Sequence, residues 1–195
     1  MPFFTASDSC RLYYTFSEST PNLPVIVFLN GLAQTTTYWH GQLNFFSGAY
    51  RVLRYDSRAQ GRSDPGTKPL SSARHVADLL AIFDYLGIDS ATLVGLSHGA
   101  YVATAFAAEH PEKVNKLIIC NLRAGRYGDA ETFGRWHRKL TGEGLEAFAM
   151  DVIATAITGM ASATRHRIAG IAGPRWQLVG LSYGRSLGSA LSYHL

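Results

Sequence analysis

The order of apolar and polar residues predicts an α/β fold, a mostly parallel sheet with helices on both faces, incomplete at its C-terminal end. Three observations predict it. Between residues 25 and 120 short apolar runs alternate with longer stretches of helical period, the pattern of a parallel sheet wrapped by helices. A Gly-x-Ser-x-Gly stretch, Gly95 to Gly99, stands where one such run gives way to one such helix. After Asp151 the chain carries no carboxylate at all, unlike any earlier stretch of that length.

The elements justify themselves in order. Arg11 to Phe16 reads as an antiparallel strand that precedes the parallel ones. Val25–Leu29, Arg51–Tyr55, Thr92–Gly95 and Lys116–Cys120 have strand length, are rich in β-branched residues and end in turn residues, so they read as buried parallel strands. Ser72 to Leu86 places Val76, Leu79, Leu80, Phe83 and Leu86 on one helical face, spreads Arg74, Asp78 and Asp84 around the rest, and stops at Gly87. His98 to His110 is an Ala-rich helix ended by Pro111, and its small residues Gly99, Ala100 and Ala103 let it lie close to the strand before it. From Ala124 the alternation ceases, and Asp129 to Met160 reads as two or three helices broken at Gly142, Gly144 and Gly159. The expected organisation is a core over residues 1–123, a helical cap region over 124–160 and an atypical tail over 161–195.

Bulk composition sets outer limits. With 195 residues, 47% of them hydrophobic and 16% charged, the chain has the make-up of one ordinary globular domain. The net charge of +4 comes from Arg165, Arg167, Arg175 and Arg185, since the remaining basic residues are balanced by the acidic ones. No basic stripe interleaved with aromatics accompanies them, which argues against a nucleic-acid partner. Cys120 ends the apolar run Leu117-Ile118-Ile119 and reads as a buried inert thiol; with Cys10 it makes no disulfide scaffold. Neither a signal peptide nor a membrane span is read from the sequence, so a cytoplasmic location and no membrane partner are expected.

Ser97 is the candidate nucleophile. A serine in a tight strand-to-helix turn is forced into a strained backbone conformation, and side chains on either flank would collide with strand and helix, a demand that Gly95 and Gly99 meet. The turn lies at the carboxyl end of the sheet, with the amino end of the next helix beneath it, where developing negative charge is favoured. The backbone N–H of His98 is then one oxyanion-hole donor. Asn30-Gly31-Leu32, directly after a strand, offers the Leu32 N–H as the second. The His98 side chain, adjacent to the nucleophile on the same turn, is expected to line the pocket or pack rather than to act as base.

The stretch from Val25 to Leu122 resembles the α/β-hydrolase superfamily, and within it is similar to the esterase and enol-lactonase group. The resemblance rests on Asn30-Gly31-Leu32 with Trp39 and Gln42, on Asp56-Ser57-Arg58-Ala59-Gln60-Gly61-Arg62-Ser63-Asp64, on the Ser97 turn, and on His110-Pro111-Glu112-Lys113-Val114. It implies that Asp56, Arg58 and Asp64 hold their loop together. Asn30 replaces the family's usual histidine and Ala59 its usual glycine; if position 59 needs positive φ, alanine costs about 1 kcal/mol there. An Asn-Gly oxyanion loop is also similar to that of hydroxyacyl transferases acting on thioesters.

The resemblance implies a triad aspartate and histidine after the cap, and neither is found. His166 and His194 lack the strand-then-loop context, and Asp129, Glu131, Glu143, Glu146 and Asp151 fall in expected cap helices. A triad lacking its base or acid keeps only about a 10³- to 10⁴-fold advantage over water. In the tail, Leu178 to Gly184 repeats Leu93 to Gly99 except at its sixth position, but Gly173-Pro174-Arg175-Trp176 before Ser182 is no strand-linked helix, so a rearranged, frame-shifted or truncated reading frame is the preferred origin of the tail. The sheet is expected to lose its last strands and leave an edge open. The leading expectation is a serine hydrolase of a small carboxylic ester, lactone or related acyl compound, with a small-molecule substrate and neither metal nor organic cofactor. The alternatives are an acyltransferase on a hydroxyacyl thioester and a non-catalytic remnant of such an enzyme. Phe133, Trp136, Phe148 and Met150 of the cap read equally as core or pocket lining, and the oligomeric state stays open.

Overall fold

The computed structural model describes residues 3–17, 22–121, 130–144, 147 and 178–181. Their strands are β1 (Phe3–Thr5), β2 (Arg11–Phe16), β3 (Val25–Leu29), β4 (Arg51–Tyr55), β5 (Ala91–Leu96), β6 (Val114–Cys120) and β7 (Leu178–Leu181). They form one sheet in the order β1-β2-β4-β3-β5-β6-β7, in which the pairs β1/β2 and β2/β4 are antiparallel and the rest parallel.

Side-chain alternation along β3 explains the layering. Strand β3 lies between β4 and β5, and all five of its residues are buried. Val25, Val27 and Leu29 pack with Leu79 and Phe83 of α2 (Ser72–Leu86) and Phe106 of α3 (His98–Glu109). Ile26 and Phe28 point the other way, to Trp39, flanked by Leu43 and Phe46 of α1 (His40–Phe46). Helices thus cover both faces, and each fully buried aliphatic or aromatic side chain contributes about 1.5–3 kcal/mol. Phe83 against Phe106, 5.2 Å between ring centroids, ties α2 to α3.

The sequence missed β1 and α1, and three residues are too few to show an alternation. Helix α1 follows a 3-10 turn at Thr36–Trp39 and has no side-chain cap to announce it. Strand β6 begins two residues before the expected Lys116 and departs from the expected uniform burial, with Lys116 exposed. The register gives the reason: β7 covers β6 only from Leu117 onward.

The tail supplies one strand the sequence did not assign, β7 beside β6, and the sheet ends there. Leu93 and Leu178 both pair with Leu117, Val94 and Val179 with Ile118, Gly95 and Gly180 with Ile119, and Leu96 and Leu181 with Cys120. The same four residues therefore flank β6 on both sides in the same register.

The chain divides into two compact units, one holding the sheet with α1–α3 and the other α4 (Ala130–Gly142). Helix α4 lies within the expected cap region and ends at Gly142, with Gly144 at φ 92° just beyond. Its Lys139 stands 3.9 Å from Glu143, an i,i+4 pair worth a few tenths of a kcal/mol, roughly. Ser182, His166, His194, Phe148 and Met150 lie outside the described residues, as do the side chains of Phe133 and Trp136. Among the described residues no helix is long and apolar enough to cross a membrane.

Candidate functional site

Ser97 sits between the end of β5 and the start of α3 with φ 51° and ψ −113°, a backbone conformation that an L-residue adopts only under constraint. The neighbours supply that constraint. The Ser97 N–H donates to the Cys120 carbonyl at the end of β6 (3.0 Å), and the Ser97 carbonyl accepts from Ala100 N–H (3.0 Å) as α3 begins. A Cβ at Gly95 would stand 2.6 Å from the Ala100 Cα, and one at Gly99 would meet the Leu29 carbonyl oxygen and lie 2.7 Å from that of Asn30. Both glycines are therefore required by backbone contact, and α3 is held against the end of β3. The His98 N–H, at the first position of α3, has no intrahelical acceptor.

The loop after β3 is held from within. Asn30 is fully buried (0% exposed); its Nδ2 donates to the Tyr55 carbonyl (2.9 Å) and its Oδ1 accepts from Trp39 Nε1 (2.6 Å). It joins the ends of β3 and β4 to the start of α1. Gly31 N–H donates to Gln34 Oε1 (2.8 Å), which closes the turn, and Leu32 beyond it is exposed.

The loop after β4 is a network of ion pairs and capped amides. Asp56 accepts from the N–H groups of Thr36 (2.6 Å) and Arg62 (3.0 Å). Arg58, 2% exposed, lies between Asp8 and Asp78, with Nη1–Oδ2 at 2.7 Å to the first and Nη2–Oδ1 at 2.6 Å to the second. The hydrogen bond from this guanidinium holds the Asp8 carboxyl below the usual range. Ala59 has φ 63°, the left-handed conformation for which glycine is the usual choice. Asp64 forms an exposed pair with Arg11 at 3.0 Å, worth about 1 kcal/mol at most.

These loops enclose a cleft of about 280 Å³. Leu32 lines it from the loop after β3, and Arg58, Ala59 and Gln60 from the loop after β4. Leu70, Ser71, Ser72 and His75 line it from the N-terminal end of α2, and His98 from α3. Ser97 is half-buried beside His98 and is not itself among the lining residues. The rings of His75 and His98 meet edge to face, with centroids 4.9 Å apart and planes at 80°. Burial, helped by the neighbouring His98, pushes the His75 imidazole down from 6.5 to about 4, and burial also lowers His98. The Nδ1 atoms of both rings and the Oε1 of Gln60 are buried without a hydrogen-bond partner.

The structure brings Leu32 and His98 to one cleft, with Ser97 adjacent to His98. The His98 ring lines the cleft and packs on α2, as its position beside the serine suggested. Sequence reasoning missed His75, Gln60, Asp8 and Asp78. Asp78 was placed among the outer residues of α2, yet it is buried against Arg58, because tertiary pairing overrides the helical pattern. Only the charge pattern could have pointed to it: a buried arginine requires carboxylates. Cys120 is partly buried and burial raises its thiol, while the Cys10 Sγ donates to the Asp64 carbonyl at 3.2 Å. Among the described residues no three His, Cys, Asp or Glu side chains gather as metal ligands would.

Residues 24–140 match the family model described as alpha/beta hydrolase fold. The chain is 30% identical over 145 residues to 3-oxoadipate enol-lactonase 2 of Acinetobacter baylyi, covering 74% of this chain and 53% of that protein. It is 33% identical over 123 residues to epoxide hydrolase 2 of Siraitia grosvenorii, covering 62% and 39%. The solved enol-lactonase from Burkholderia xenovorans superposes with a TM-score of 0.71 at 29% identity, covering 82% of this chain and 59% of that one. The chain thus spans about half or less of the length of these curated relatives.

Proposed function

Because the chain belongs to the alpha/beta hydrolase fold family, we propose that it is a serine hydrolase of a small carboxylic ester, lactone or related acyl compound. Ser97 attacks the acyl carbon, and the backbone N–H groups of Leu32 and His98 hold the oxyanion that forms. The observation that carries this reading is the strained Ser97 turn between β5 and α3, with glycines on both flanks that backbone contact requires. The enol-lactonase and epoxide hydrolase named among its relatives agree with a hydrolytic reaction on a small electrophile. Asn30 favours hydrolysis over the acyltransferase alternative. Its side chain is buried in a bridge between Tyr55 and Trp39, so it acts on the scaffold rather than on an acyl group.

The test is mass spectrometry of the chain after treatment with a fluorophosphonate, beside Ser97→Ala and Ser182→Ala. The hydrolase reading expects a label on the Ser97 peptide that only Ser97→Ala removes, together with turnover of short p-nitrophenyl esters. A folded chain that takes no label is instead a non-catalytic remnant of the fold.

A further inference from the structure

The two backbones that carry the proposed oxyanion donors are packed on one another. A Cβ at Gly99 would lie 2.7 Å from the Asn30 carbonyl oxygen, and one at Gly31 would lie 3.5 Å from the Leu96 carbonyl oxygen. The loop after β3 therefore touches the chain through backbone both before and after Ser97. Among the described residues neither the Leu32 N–H nor the His98 N–H has a hydrogen-bond acceptor. The loop runs through a turn from Gly31 to Gln34, and Gln34 closes it twice. The Gln34 N–H donates to the Gly31 carbonyl at 3.3 Å, a long bond, while Gln34 Oε1 accepts from the Gly31 N–H at 2.8 Å, so the side chain makes the tighter closure. Leu32 and Ala33 form the tip, with Ala33 at φ 58°, a left-handed conformation that alanine keeps only while the turn is held closed around it. Gly31 is buried, so its N–H requires an acceptor, and Gln34 supplies one.

We propose that Gln34 is a positioning residue of this site: by holding the Gly31 amide it fixes the turn in which the Leu32 N–H stays free to receive an oxyanion. This role rests on the serine-hydrolase reading for its consequence but not for its geometry. Without the Gln34 oxygen the Gly31 N–H turns to another acceptor, the backbone at Ala33 relaxes, and Leu32 moves with both. Gln34 is not among the residues that line the cleft. Its loss therefore slows the step at Ser97 while leaving the encounter with a reagent unchanged.

The experiment is a fluorophosphonate time course on the whole chain and on Gln34→Met, which keeps side-chain length without the accepting oxygen, with Gln34→Ala as a second variant. In the labelling step Ser97 Oγ bonds to phosphorus, fluoride leaves and the hydroxyl proton passes to solvent, while the phosphoryl oxygen takes the oxyanion's place. The limiting rate constant is expected to fall about 10- to 100-fold in both variants, with the half-saturating reagent concentration and the melting temperature nearly unchanged. Thr37→Ala, an exposed change in the same loop, is expected to alter neither constant. An unchanged limiting rate, or a loss that falls on half-saturation or on folding instead, overturns the positioning role. Amide NMR of the same proteins separates it from the hydrolase reading, since Gln34→Met is expected to shift the Leu32 N–H resonance and to speed hydrogen exchange at Gly31. Those changes in a chain that takes no label remove the hydrolase and keep the geometry. A labelled Ser97 without them removes the positioning role alone, and neither label nor change removes both.

Discussion

Two neighbouring turns of α2 treat their buried polar groups in opposite ways. Asp78 meets Arg58 through two hydrogen bonds, at 2.9 and 2.6 Å, and Arg58 in turn meets Asp8. His75, three residues earlier on the same face, packs edge to face on His98 and leaves its Nδ1 unpaired. Both residues are nearly inaccessible, 3% and 6% exposed. The difference is one of pairing: Asp78 is satisfied by Arg58 inside the chain, whereas the buried His75 Nδ1 has no partner among the described residues.

The largest effect expected of a single change lies on the satisfied side. Arg58→Met leaves the buried Asp78 carboxylate without a cation and Asp8 with only Arg74, 3.5 Å away, and should cost about 3–5 kcal/mol, measured as a shift in the urea midpoint. A loss below about 1 kcal/mol, the scale of a surface pair, would erase the distinction between the two turns.

Next comes the elbow, where Gly99→Ala drives a Cβ into the carbonyls that end β3 and should cost about 1–3 kcal/mol. Gly41→Ala is its control, since nothing lies within 4 Å of the added atom; at the second position of α1 the change should be neutral or stabilising by up to about 1 kcal/mol. Ala59→Gly relieves the left-handed backbone of the loop after β4 and should raise stability by less than about 1 kcal/mol, because glycine also loosens the unfolded chain.

The smallest effect at neutral pH belongs to the unsatisfied side. The His75 imidazole titrates at about 4 in the folded chain and near 6.5 when exposed. Between those values the unfolded chain holds a proton that the folded chain does not. The stability is therefore full above about pH 6.5 and is lost as the pH falls through about 4. His75→Phe should leave stability at pH 7 nearly unchanged and flatten the acid limb of a melting-temperature profile. An unaltered acid limb would mean that His75 is not the buried neutral group the structure places there.

Legibility followed distance along the chain. The strands at Val25–Leu29 and Arg51–Tyr55, the helix Ser72–Leu86 and the Ser97 turn were readable because hydrophobic period and turn residues are local signals. Asp8, 50 residues from Arg58, carries no local mark of its partnership. His75 looked like one more helical residue, since its burial depends on α3 lying beside α2. Strand β7 was the instructive miss: the repeat of Leu93 to Leu96 at Leu178 to Leu181 was noticed, but its meaning as a second partner for β6 required the sheet itself.

By itself, then, the sequence determined a parallel sheet with helices on both faces and a strained serine turn flanked by glycines, both of which arise from steric and hydrophobic patterns within a few residues. The tertiary structure alone decided which charges pair, which of the polar atoms around the cleft stay unpaired, and that Leu178–Leu181 joins the sheet. Those outcomes depend on groups brought together across the fold, where burial sets the cost of every unmet hydrogen bond.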